Sequence, residues 1–266
     1  MIYFETITNP QLEIVDIEKI TKIAKEHNIL VAVDSTLTPL YFCDFKKLGV
    51  NIEVISSTKY ISCGATTLGG VIIDHGNFNW RVYPKLCEDW TKFGPFTFIN
   101  RLKKEIYRNF GACLSPHNAF LQSVGLETLA LRIERSNENA IKVAQHLNKL
   151  DKIHNVNYPG LPNNKFNGLA VKQFGNLFGG LITFELTSKA ECYKFMDSLQ
   201  IIRRATNLND NKTLIIHPSS TIFSDFDSDK KISMDVKDTM LRLSIGIEDS
   251  EDIIDDIDQA LNKLED

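Results

Sequence analysis

Three short, largely apolar stretches stand out in the first third of the chain: the continuous run Ile29-Leu30-Val31-Ala32-Val33, residues 52–56, and Gly70-Val71-Ile72-Ile73-Asp74. Runs with so little polar alternation predict strands covered on both faces, the habit of a parallel sheet flanked by helices. Between 16 and 28 the spacing becomes helical, with Ile17, Ile20, Ile23 and Ala24 on one face behind Asp16, a candidate N-cap. Residues 76–115 hold no sustained period and are broken by Pro84, Gly94, Pro95 and Gly111, which predicts an irregular stretch. Ser115-Pro116 then opens a long helix to about residue 150, proline suiting its first turn. From 155 to 180 the density of Asn, Gly and Pro predicts a loop-heavy connection. Beyond it come a strand at 181–186, a helix capped by Ser188 with Glu191 three residues on, and a strand near 214–217. Arg242-Leu243-Ser244-Ile245-Gly246 predicts a last strand, and the closing helix from 250 sets Ile253, Ile254, Ile257, Leu261 and Leu264 on one face.

This order is that of an α/β protein in two parts, divided into residues 1–130, the later portion of a large sheet domain, and residues 131–266, a smaller C-terminal α/β domain. At 266 residues the chain can bury a sizeable core. A net charge of −4 gives no basic field for nucleic acid or an anionic membrane surface. No apolar run is long enough to span a bilayer. Cys43, Cys63, Cys87, Cys113 and Cys192 are scattered without a C-x-x-C pair, which speaks against a disulfide framework or a zinc site. Met1-Ile2-Tyr3-Phe4-Glu5 lacks the basic, apolar and small-residue pattern of an export signal, so the expected location is cytoplasmic.

The chemistry concentrates at predicted strand ends. Asp34 closes one apolar run, and Ser56-Ser57-Thr58-Lys59-Tyr60 closes the next. Ligands of open α/β sheets sit at the carboxyl ends of strands. An amine, two hydroxyls and a carboxylate at such ends match the needs of pyridoxal phosphate: Lys59 to join its aldehyde, Ser56 and Thr58 to hold its phosphate, and Asp34 to keep its pyridine nitrogen protonated. Alone, Ser-x-Thr-Lys is a common surface turn, and a strand-end Asp often caps the following helix. Together on successive strands they carry more weight.

Four ordered blocks then match one family. Glu5-Thr6-Ile7-Thr8-Asn9-Pro10 resembles its E-[ST]-P-x-N-P, and Val33-Asp34-Ser35-Thr36 its V-D-[NS]-T. Residues 56–60 resemble S-x-T-K-[YF], and Arg242 to Glu248 resemble R-[LF]-S-[IV]-G-x-E. The chain is thereby identified as resembling the Cys/Met-metabolism (trans-sulfuration) family of fold-type I pyridoxal phosphate enzymes. Thr66 to Asp74, Asn157-Tyr158-Pro159-Gly160-Leu161 and Thr213 to Pro218 resemble its O-acetylhomoserine sulfhydrylase branch. The resemblance implies that Lys59 carries the cofactor and moves protons between the α, β and γ carbons. It implies that Asn9 bonds the cofactor's 3′-oxygen and that Arg242 grips a substrate α-carboxylate with its planar fork, with Thr213 assisting. The bland reading of Arg242 is a salt bridge between domains, and His217 before Pro218 reads as structural. The implied reaction is γ-replacement on O-acetylhomoserine by sulfide or a small thiol, giving homocysteine or methionine and acetate, in a homo-oligomer that is a tetramer in the family. An α,γ-lyase acting on methionine or cystathionine is the alternative within the class.

The sequence departs from the family pattern at several places. Met1 lies four residues before Glu5, whereas the family has a preceding third that supplies a glycine-rich phosphate loop, a ring-stacking tyrosine and an arm reaching a neighbouring subunit. A catalytically inactive fragment, or a partner in a split gene, is therefore the reading from another class, and the missing arm weakens the tetramer expectation. The turn after Lys59 is Ser62-Cys63-Gly64-Ala65, where the family is rich in glycine and histidine. Asn209 stands where the family has glycine, a minor change because Asn tolerates left-handed backbone.

Overall fold

A computed structural model describes residues 1–264. The first sheet has four strands in the order β1-β2-β3-β4: β1 Ile2–Glu5, β2 Val31–Asp34, β3 Ile52–Ser56 and β4 Gly70–Asp74. Strands β1, β2 and β3 run parallel, with Glu5 beside Asp34 and Asp34 beside Val54. The three parallel strands thus deliver their last residues to one edge of the sheet. The apolar run 70–74 is a strand as predicted, yet β4 pairs antiparallel with β3. A parallel return needs a crossover of a dozen or more residues, usually a helix, and residues 57–69 form turns instead.

Both faces of this sheet are covered, which explains the continuous apolar runs. Val31 and Val33 point into the main core with Ile17 and Ala24 of the Ile17–Glu26 helix. Leu30, Ala32 and Ile52 point the other way, against Phe78 and Trp80. Asp16 caps the helix as expected, accepting the Lys19 N–H at 3.1 Å. The expectation of an irregular 76–115 segment is corrected. It folds into successive short helical turns, among them Cys87–Phe93, Thr97–Arg101 and a π-helical turn at Leu102–Tyr107. Tertiary stacking organises this segment, since Trp80 and Phe98 lie parallel with centroids 5.2 Å apart.

The predicted long helix is two, Pro116–Glu127 and Leu129–Leu147, broken at Thr128. Arg132 ties this break to the segment that follows Lys59. It donates to Tyr60 O and Gly125 O, each at 2.7 Å, and to Thr128 Oγ1 at 3.0 Å. Gly125 is required here, because a Cβ would stand 2.1 Å from Ile61 O. Gly125→Ala should therefore lower unfolding free energy by about 1–3 kcal/mol, read as a fall in the urea midpoint at unchanged slope.

The second sheet has five strands in the order β5-β6-β9-β8-β7. They are β5 His154–Asn157, β6 Leu181–Glu185, β7 Arg203–Arg204, β8 Leu214–Ile216 and β9 Met240–Ser244. Strand β9 is central and antiparallel to both β6 and β8. The stretch from 155 to 180 holds more order than its composition predicts, since it includes part of β5 and the Asn167–Phe174 helix. Helices Lys189–Ser198 and Ser250–Asn262 lie as anticipated, with Ile253, Ile257 and Leu261 buried.

Candidate active site

The predicted strand-end residues line up along one edge of the first sheet. Asp34 ends β2 and is half-buried; its Oδ1 accepts the Thr36 N–H at 2.9 Å. Thr36 Oγ1 accepts the Ser56 N–H at 2.9 Å, which fastens the turn after β2 to the end of β3. Lys59 follows β3 by three residues, and its Nζ donates to Asn207 Oδ1 at 2.5 Å. Its amine loses its proton more readily than an ordinary lysine, through burial first and the neighbouring Arg242 guanidinium second, with Asp210 opposing.

Arg242, in the middle of β9, is 1% exposed. Its Nη1 donates to Asn9 Oδ1 at 2.9 Å, and its Nη2 donates to Thr206 O at 3.1 Å and Asn207 O at 3.0 Å. Among the described residues no carboxylate pairs with it, so the domain-interface salt bridge is not what the structure contains. Burial alone pushes its guanidinium down to about 10. Its Nε is buried without a partner. A desolvated cation held by neutral acceptors, with a spare donor, has the chemistry to accept an anion such as a carboxylate.

Direct bonds therefore join Asn9 to Arg242, and Asn207 joins Arg242 to Lys59. Asn209 ties the same group to Asp34's turn, its N–H donating to Ser244 Oγ at 2.7 Å and its amide approaching Thr36 O at 3.5 Å. It holds the left-handed backbone expected of it, φ 53°. Thr213 is placed differently from the others. Its hydroxyl is fully buried, donates to Glu248 Oε2 at 2.9 Å and accepts the Gly246 N–H at 3.0 Å. It holds the turn after β9, and its one donor hydrogen is committed to Glu248, which leaves none to offer a carboxylate. His217 is likewise committed, with ring nitrogens 2.8 Å from Ser220 Oγ and 2.7 Å from Asp238 O. Asn207 and Asp210 were not found from sequence. They lie in Asn207-Leu208-Asn209-Asp210-Asn211, which has the composition of any turn, and Asn207 meets Lys59 across 148 residues.

The donor set can be tested against pyridoxal phosphate. A half-buried amine with a lowered proton affinity and a strand-end carboxylate meet the demands of the aldehyde and the ring nitrogen. On the phosphate side Ser56 is half-buried and has a hydroxyl to offer, and Ser57 Oγ is buried with no partner. Thr58 Oγ1 is held by the Gly69 backbone, accepting its N–H at 3.1 Å and donating to its carbonyl at 3.3 Å. The set fits the group.

The turn beyond Lys59 carries strain. Cys63, Gly64 and Ala65 all take positive φ, 60°, 87° and 58°. That backbone costs a side-chain-bearing residue about 1–2 kcal/mol. Ala65→Gly should thus stabilise the chain by about 1 kcal/mol, seen as a higher urea midpoint.

Comparison with known proteins decides the family. The profile of the Cys/Met metabolism PLP-dependent enzymes matches residues 1–262. The chain belongs to that family. Family members are fold-type I enzymes dependent on pyridoxal phosphate, with an α/β fold like the one described. The O-acetyl-L-homoserine sulfhydrylase of Leptospira meyeri is 37% identical over 283 residues, covering 98% of this chain and 64% of that protein. Among solved structures, an O-acetylhomoserine sulfhydrylase of the methionine biosynthetic pathway of Wolinella succinogenes superposes with a TM-score of 0.87 at 47% identity, covering 97% of this chain and 70% of that one. An O-acetylhomoserine (thiol)-lyase from Campylobacter jejuni, which carries a pyridoxyl-lysine monophosphate, gives a TM-score of 0.90 at 36% identity over 98% of this chain and 65% of that one. The chain spans about two thirds of the length of such relatives, 64% for the Leptospira protein. Among the described residues no helix is long and apolar enough to cross a membrane, and no cluster of His, Cys, Asp and Glu is placed to hold a metal.

Proposed function

We infer that this family member carries the reaction centre for γ-replacement on O-acetylhomoserine by sulfide or a small thiol, yielding homocysteine or methionine and acetate. The observation that supports it most is the buried, carboxylate-free Arg242 linked through one residue to the Lys59 amine. Lys59, Asp34, Ser56, Thr58 and Asn9 would hold pyridoxal phosphate. When bound, that group supplies the electron sink that makes a proton at Cα of an amino acid removable. Arg242 holds the α-carboxylate, which sets Cα beside the amine. Lys59 takes and returns protons at Cα and Cβ, for which a lowered proton affinity is suited. Acetate then departs from Cγ with its bonding electron pair, and the sulfur nucleophile forms the new Cγ–S bond. Thr213 contributes by holding Glu248, and so the turn behind Arg242.

The same reading assigns residues 1–130 to the cofactor side and 131–266 to a smaller domain, in a cytoplasmic protein whose cysteines form no disulfide. Self-association belongs to it as well, since Leu68, Phe96, Phe110, Phe120 and Leu131 are each more than half exposed. Product analysis tests the reaction. O-acetylhomoserine plus sulfide should yield homocysteine and acetate, whereas an α,γ-lyase would release a thiol and ammonia from methionine alone. Protein that takes up the cofactor yet makes no homocysteine would overturn the γ-replacement reading.

A further inference from the structure

Asn207 stands between two charges. Its Oδ1 accepts from Lys59 Nζ at 2.5 Å, and its Nδ2 donates to Asp210 Oδ2 at 3.3 Å. Its backbone carbonyl also accepts from Arg242. The amide has a single workable orientation, because a flipped side chain would set N–H groups against the ammonium and a carbonyl oxygen against the carboxylate. Asp210 is itself fixed, its Oδ1 accepting the Lys212 N–H at 3.1 Å, with Lys212 Nζ at 3.7 Å. Its side chain is only 11% exposed, so its charge is weakly screened. Charged groups acting on Lys59 are Arg242, which repels its proton, and Asp210, which retains it.

We propose that Asp210 is a positioning residue for the reaction: through the Asn207 amide it fixes where the unbound Lys59 amine rests, and it supplies the counter-charge to the Lys59–Arg242 pair. The assignment rests on the reading of Lys59 as the proton-moving amine, and it adds a charge control outside the residues that touch cofactor or substrate. Without Asp210, two cations would share a desolvated pocket and the amide would be free to turn its N–H₂ toward the amine. With it, the amine is parked at one atom and keeps its proton longer. Asp210 thereby biases the Lys59 amine toward its charged form whenever that amine is not bonded to the cofactor.

The test is trace labelling of the cofactor-free chain with acetic anhydride, with Lys59 quantified by peptide mapping against the other lysines. Asp210→Asn keeps the Lys212 N–H acceptor and removes the charge; Lys59 should label several-fold faster at neutral pH, the other lysines at unchanged rates. Asn207→Asp places a carboxylate on the amine and should slow Lys59 labelling below the wild-type rate. The double variant N207D/D210N, which exchanges amide and carboxylate, should also label slowly. An unchanged Lys59 rate in Asp210→Asn, or faster labelling in Asn207→Asp, would overturn the proposal. Labelling needs no cofactor, so the result stands apart from the separate borohydride mapping of cofactor attachment to Lys59 in the wild-type chain.

Discussion

Lys59→Ala should stay colourless when pyridoxal phosphate is added, while the wild-type chain turns yellow and, after borohydride, carries the mass of a pyridoxyl group on residue 59. Turnover should fall by about 10³-fold or more, since covalent attachment and proton transfer are lost together. The fold should survive, because Lys59 is half-buried and Asn207 keeps its bonds to Asp210 and Arg242. An unchanged urea midpoint is the control. Attachment requires the uncharged amine, so its rate should climb with pH. Burial and Arg242 lower the proton affinity of Lys59, so the plateau should come below the ordinary lysine value of 10.5. A pyridoxyl group found on another lysine would remove Lys59 from the site.

Arg242→Met should act most strongly on affinity. Hydrogen bonds to a charged group contribute about 1.5–3 kcal/mol each, so losing a bidentate grip on a carboxylate should raise KM by about 10²-fold or more. Arg242→Lys should recover only part of this, for an ammonium cannot reproduce the fork. The stability change should be the balance of two opposed effects: removing a desolvated charge favours folding, while Asn9 Oδ1, Thr206 O and Asn207 O lose their donor, at about 1–3 kcal/mol for each acceptor left buried and unpaired. Linkage agrees in sign with the first. With the folded value near 10, beneath the ordinary arginine value, the protonated guanidinium disfavours folding at every lower pH, and that cost fades only as pH rises above about 10. A large drop in the urea midpoint with KM unchanged would assign Arg242 to the scaffold.

The strands β2, β3 and β4 were readable as apolar runs because helices and aromatic turns cover both faces. Direction was not readable: nothing in Gly70 to Asp74 says that β4 turns back along β3. Strand β1 escaped the pattern because it is short and alternates between half-buried and exposed positions. Residues 76–115 escaped for another reason. Their helical turns are too short to show a period and are organised by ring stacking such as Trp80 on Phe98. In the candidate site, Asp34, Ser56, Thr58 and Lys59 could be found because each ends or follows a parallel strand. Arg242 and Asn9 came from motif resemblance, and their mutual bond was invisible until the fold brought β9 to the strand ends. Asn207 and Asp210 had only turn composition to announce them.

Arg242 is held by the protein's own acceptors on every side but one. Its two Nη groups already donate to an amide oxygen and two peptide oxygens, which hold the side chain in place. On the proposed reading an incoming carboxylate would meet a guanidinium that is already dry, and would compete with Asn9 for a donor before adding one at the spare Nε. Recognition would then be a trade of partners on a cation already held in place. Asn9, released by that trade, would be left with an amide free to turn to the cofactor that the proposed reading places beside it, so arrival of one ligand would be felt by the grip on the other.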